Sequence, residues 1–247
     1  MTFLSYMRLL SAGVVAANLA AMPALAGDIK RVNFSAGQRL SFVLPDTGDA
    51  SKKARGPVLA GLTALAGQGT LTQVYNFAVD EVLIGEHQPQ ALSLYAWSSA
   101  DDARQARASE HYKSELASLM PATWSEVHTV EVDLVEPLTL ELDSDKTYTL
   151  ALAWIRSEAM FEGYAALSAP LREVLGAKPL INLPVGYFAQ MGLDEADSPD
   201  RLVLMEWRHE SHPEAYRTSA LIQENAEVVG QAFEKIQWYR LAHGGNN

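Results

Sequence analysis

The residues of this chain that could do chemistry are few, and His128 is the first of them. It stands in Glu126-Val127-His128-Thr129-Val130, and on a strand it shares a face with Glu126 and Val130. An imidazole on an inward face would serve as a general base or as a ligand to haem iron. Tyr95 is the expected second catalytic group, with Trp97 beside it. Trp97, Trp207, Tyr187, Gln190, Trp154, Gln237 and Tyr239 supply the aromatic walls and sparse polar groups of a small-molecule pocket. The competing explanation for the aromatic residues is core packing, and for His128 a hydrogen-bonded position on an edge strand.

Other chemistries fit less well. His209 and His212 have the spacing of a metal pair, with Glu206 and Glu210 nearby, but they precede a helix start where polar residues collect. No metal ligand set and no cofactor is assigned from the sequence. Residues 193–200, LDEADSPD, read as a solvated hairpin loop rather than a calcium loop. The chain has no Cys, which removes thiol catalysis, iron–sulfur clusters, cysteine zinc sites and disulfides. No Gly-x-Ser-x-Gly elbow and no phosphate-binding glycine loop is present.

What surrounds these residues sets the compartment. Residues 1–26 carry one positive charge, Arg8, then an apolar run from Leu9 to Ala21, Pro23 and Ala24-Leu25-Ala26. This is the layout of a cleavable secretory signal, too short to span a bilayer. The expectation is a periplasmic or secreted protein with no membrane insertion after cleavage. The 19 basic and 30 acidic residues give a net charge of −11. An acidic balance argues against nucleic acid as a partner.

The elements that must position the site come in two copies. Trp97 falls on Trp207, Gly67 on Gly176 and Trp124 on Phe233; the strand–turn–strand of 32–44 falls on 140–152. One register holds throughout, the mark of an internal repeat. Each copy reads β-α-β-β-α-β with a small preceding strand, at 29–34 and 138–142. In the second copy a helix over 157–176 ends on Gly, strands are expected at 185–193 and 201–207, and one helix is expected over 211–234. Ser211 and Glu214 have capping-box spacing. The division is 1–26 signal, 27–136 first repeat and 137–247 second repeat. The fold class is α+β: two tandem ferredoxin-like units packed sheet to sheet as a pseudo-dimeric α/β barrel, an intramolecular dimer. Tyr95, Trp97 and Trp207 are expected between the two sheets.

Residues 80–116 resemble the hairpin and second helix of the dimeric α/β-barrel proteins. The similarity is to a bacterial family of unknown function related to the antibiotic-biosynthesis monooxygenases. It rests on Glu81-Val82-Leu83-Ile84-Gly85, on Ser109-Glu110-His111-Tyr112, and on Tyr164 and Pro170 in the second copy. The second hairpin lacks the Glu-Val-Leu-x-Gly strand, and Gly176-Ala177 stands where that family has two glycines. The resemblance implies a half-barrel cavity for a small apolar or aromatic molecule, with monooxygenase- or isomerase-like chemistry. A non-catalytic interaction module and a haem protein are the alternatives.

Overall fold

The computed structural model describes residues 28–46, 70–191, 193–194 and 197–243. The signal-like segment and residues 62–69 of the repeat lie outside the described residues. Strands β1 (Ile29–Phe34), β2 (Arg39–Asp46), β3 (Leu71–Ile84) and β4 (Ala91–Trp97) lead to helix α1 (Ala100–Ala108). A π-helical turn (Tyr112–Ala117) and the short α2 (Met120–Thr123) precede β5 (Glu126–Asp133). The second half runs β6 (Leu138–Asp143), β7 (Thr147–Ile155), α3 (Glu158–Val174), β8 (Lys178–Pro184), β9 (Tyr187–Gln190), β10 (Leu193–Asp194) and β11 (Arg201–Trp207). Helices α4 (His212–Arg217), α5 (Ala220–Glu224) and α6 (Ala226–Ala232) precede β12 (Phe233–His243).

Ten strands form one antiparallel sheet in the order β10-β9-β5-β2-β4-β3-β12-β7-β11-β8, while β1 and β6 pair separately. Two long runs of chain cross between the halves. β3 pairs with β4 through Leu71–Ala78 and with β12 through Phe77–Ile84. β8 pairs with β11, and two residues later β9 pairs with β5. The two ends of the sheet order are therefore carried by one stretch of backbone, and the sheet curls around a shared interior.

That interior is apolar. Leu40, Phe42, Leu92, Leu94 and Val130 of the first half meet Leu150, Leu152, Leu202 and Leu204 of the second in one buried cluster. Tyr95 and Trp97 point the other way, to Ala103 of α1 and to Met120 and Trp124. Trp207 likewise packs outside the barrel, on Tyr216 and Trp238. The expectation that these aromatics lie between the sheets is thus reversed. The Leu92–Leu94 face lines the interior together with Phe42, Phe77, Tyr148 and Tyr239, while Tyr95 and Trp97 fill the sheet–helix layer. Both tryptophans make the same bond: Trp97 Nε1 donates to Ser41 Oγ (2.8 Å) and Trp207 Nε1 to Thr149 Oγ1 (2.9 Å). Thr149→Val leaves that indole N–H buried without a partner and is expected to cost about 1–2 kcal/mol, read from the urea midpoint.

Helix α3 forms as its sequence implies. Ser157 accepts from Met160 N at its start, and Gly176 (φ +64) takes the left-handed position after its end. Two expected spans differ. The strand foreseen at 185–193 starts at Lys178 and breaks at Val185-Gly186, where the chain passes from β11 to β5. The helix foreseen over 211–234 is three short helices, interrupted at Thr218-Ser219 and Asn225. Ser219 caps a new helix by accepting from Ile222 N, and Asn225 ends it. Ser211 makes no capping bond; its hydroxyl meets His209 Nδ1 (2.9 Å), and Glu214 pairs with Arg217.

Candidate functional site

Among the described residues, two of the places that combine space with polar groups bear on the foreseen site residues. The first lies on the outer face of the second-half sheet. Thr149, Ala151 and Ala153 of β7, with Met205 and Trp207 of β11, floor a cavity of about 480 Å³. Phe161, Tyr164 and Arg172 of α3, with Tyr216, Ile222 and Val229 from the later helices, roof it. Ile84, at the tip of β3, closes it from the other half. The corresponding layer of the first half holds a space of only about 60 Å³.

Strand register relates the two layers. Ser41 pairs with Tyr95 as Thr149 pairs with Met205, and Val43 pairs with Ser93 as Ala151 pairs with Val203. In the second half Met replaces Tyr and Ala replaces Val, while Thr and Val replace the two serines, so bulk is redistributed across the floor. The first-half space is further filled by Trp124 and Met120, while Arg107 stacks on Tyr187 at 3.9 Å. Tyr95, Trp97 and Tyr187 thus gather in a filled layer, and Trp207 lines an open one.

The open cavity carries Arg172, Glu173, Asn182 and Arg217 on its lining, and a pair of phenols among its apolar walls. Tyr164 and Tyr216 hydroxyls lie 2.6 Å apart. One donates to the other, so the pair spends one of its two protons on itself and keeps one for a guest. Burial, reinforced by the Tyr216 hydroxyl, pushes the Tyr164 phenol well above its ordinary range. It is a hydrogen-bond donor and not a phenolate base at neutral pH.

The second place is at one end of the barrel interior. His128 faces inward, opposite Leu44 of β2 and Gln190 of β9. Its ring stacks on His87 (centroids 3.8 Å apart) and meets the edge of Phe188 (5.3 Å). Gln237 and Tyr239 of β12 also face inward, and Trp154 reaches the same end, where its ring lies against Phe188 and Lys235. Five of the residues foreseen from the sequence (His128, Gln190, Trp154, Gln237 and Tyr239) therefore converge. Tyr95 and Trp97 are on the opposite face of the sheet, so the expected His128–Tyr95 pair does not exist.

The hydrogen bonds fix the tautomers here. Tyr239 Oη donates to Gln237 Oε1 (2.8 Å), so its oxygen accepts from His87 Nδ1 (3.3 Å). His128 Nε2 donates to the Glu126 carboxylate (2.7 Å), which also accepts from Gln190 Nε2 (2.6 Å). His87 Nε2 and His128 Nδ1 remain as buried lone pairs with no hydrogen-bond partner. Burial, and then the adjacent His128, push His87 down to about 3. Burial also lowers His128, against the raising effect of Glu126. Both rings are neutral near pH 7. His87 was not singled out from the sequence: it lies in the loop Gly85–Gln90, which has no periodicity to place it. Gly85 (φ +115) shapes that loop, and a Cβ there would lie 3.1 Å from Gln237 Cγ.

A haem does not fit these residues. One face of His128 is covered by His87, and no histidine lines the 480 Å³ cavity. His209 and His212 sit at the surface turn as foreseen, His212 bonding the Leu175 carbonyl (2.6 Å).

No family model matches the sequence, and no curated protein is similar to it. Solved structures do match. An anthrone oxidase-like protein superposes with a TM-score of 0.53 at 13% identity, over 86% of this chain and 95% of that one. The chain thus shares that protein's fold, a mixed α/β arrangement around a large antiparallel sheet. A chlorite dismutase from Candidatus Nitrospira defluvii, in complex with imidazole, gives a TM-score of 0.48 at 8% identity, over 85% and 92% of the two chains. A haem-binding protein from Thermus thermophilus gives 0.38 at 12%, over 88% and 94%. Among the described residues no helix is long and apolar enough to cross a membrane.

Proposed function

We propose that this chain is an exported dimeric α/β-barrel tandem of two ferredoxin-like units that binds a small apolar or aromatic molecule in its second half. The observation that carries the reading is the cavity of about 480 Å³ between the second-half sheet and helices α3–α6. Its volume is within the range of small-molecule sites, and apolar walls with one oriented hydroxyl donor are the usual composition of such a site. The Tyr164–Tyr216 pair is suited to a carbonyl or phenolic oxygen of the guest. If the guest reacts, this pair stabilises charge developing on that oxygen. The non-catalytic alternative requires halves filled by side chains; the first half accords with it and the second does not. Residues 1–26 support export, and the acidic balance supports a partner other than nucleic acid.

The test is occupancy of the cavity. Ala151→Phe projects a ring into the space and is expected to weaken binding of the fluorophore 1-anilinonaphthalene-8-sulfonate by at least about tenfold, or 1.4 kcal/mol. Its melting temperature should stay near that of the parent. Equal binding by parent and variant would place the fluorophore elsewhere and remove the reading.

A further inference from the structure

We propose that His87, His128 and Glu126 form a binding site for a divalent transition-metal ion at the end of the barrel interior. One nitrogen of each histidine and one carboxylate oxygen lie within 4.8 Å of one another. Both imidazoles are only 3% exposed, and His87 keeps its Nε2 without a partner. Water-starved lone pairs of this kind are rare in folded proteins unless something else uses them.

The donor set names the class of ion. Two imidazoles and a carboxylate suit zinc and its first-row neighbours, whereas calcium and magnesium prefer all-oxygen shells. Ligand atoms sharing one such ion, with bonds of about 2.1 Å, stand about 3–3.5 Å apart. The His128 Nε2–Glu126 contact of 2.7 Å is already close to that separation, with a proton between the two atoms. An ion entering there displaces this proton, which passes through solvent to Nδ1 of the same ring, so the imidazole stays neutral. The His128 ring then carries its hydrogen on Nδ1, beside the Gln237 side chain, which favours a proton on that ring. Gln190 Nε2 holds the carboxylate, and the Tyr239 hydroxyl holds His87.

Three protein donors leave further coordination positions open. The adjoining space of about 510 Å³, bordered by Glu86, Asp197 and Lys235, gives solvent or a small anionic group access to them. Lys235 opposes the charge of a bound cation, while Glu86, Asp197 and Asp46 (on the far side of His87) favour it. The ion would sit inside the barrel, separate from the second-half cavity.

The experiment is calorimetric titration of ZnCl₂ into chelator-treated protein, with CoCl₂ absorption as a second readout. The expected result is one ion per chain and a visible cobalt band of a low-coordinate nitrogen–oxygen site. His87→Gln and His128→Gln should each weaken zinc by about 100-fold, and Gln190→Ala by about tenfold. The surface double variant His209→Ala/His212→Ala should bind as the parent does. No zinc binding by the parent would overturn the proposal. So would binding that survives His87→Gln/His128→Gln or vanishes with the surface pair. Should the histidine variants fail to fold, Glu126→Gln, at a partly exposed position, decides in their place: weakened zinc supports the site, and unchanged zinc overturns it.

Discussion

Glu131→Ala is expected to destabilise the protein by about 3–5 kcal/mol, because it breaks a buried charged network from its centre. The Glu131 side chain is 1% exposed and accepts from Arg107 Nη1 (2.6 Å), Arg39 Nη1 (3.1 Å) and Ser41 Oγ (2.7 Å). Ser41 in turn accepts from Trp97, so the same carboxylate orients the indole at the base of the first-half layer. Arg39 retains its two bonds to Asp133 (2.6 and 2.8 Å), and part of its charge stays matched. Arg107 keeps only its stacking on Tyr187 among the contacts described, and the Ser41 hydroxyl loses its acceptor. Removing Arg107 as well should recover part of the loss, since the uncompensated guanidinium is then gone. Urea denaturation followed by tryptophan fluorescence measures all of these. A cost below about 1 kcal/mol for Glu131→Ala would mean that solvent reaches the network after all.

Acid should unfold the chelator-treated protein through the stacked histidines. A neutral imidazole in the fold becomes cationic in the unfolded chain below its ordinary value near 6.5. The unfolded state therefore binds more protons as pH falls, and stability declines with it. For His87, held near 3, the stability is fully present above about pH 6.5 and is lost progressively between 6.5 and 3. At pH 4.5 the loss from this residue comes to about 3 kcal/mol, since each tenfold change in proton affinity is worth about 1.4 kcal/mol. His128, lowered in the same direction, adds to it. His87→Gln should flatten the stability curve between pH 6.5 and 4.5, while carboxylate pairs account for what slope remains. Identical slopes in parent and variant would show that His87 is protonated, or exposed, in the folded protein.

How far the sequence foretold this molecule depends on what each signal encodes. A helix flagged by 3.6-residue spacing, a Ser cap and a terminal Gly, as at 157–176, is specified by neighbours along the chain. The strand alternation in Leu92–Trp97 was equally plain, but alternation distinguishes two faces without saying which one turns inward. Both faces here carry large apolar side chains, so alternation alone could not choose between them. The loop carrying His87 had no pattern to read, and its approach to His128 depends on the barrel closing. The barrel-end residues on strands were legible by their alternation; the partner from the loop was not. Likewise, nothing local in Ala151 or Met205 shows that they leave space.

The crossing of β3 and of the β8–β9 run between halves bears on self-association. A sheet left open at both ends presents rows of unpaired backbone groups, which recruit strands from other molecules and seed aggregates. Here the terminal strand β10 is two residues long, and β8 continues directly into the strand that pairs at the opposite end. Little template is offered to a second chain. Separating the halves would expose it, because the longest strand of each fragment would lose one of its two neighbours.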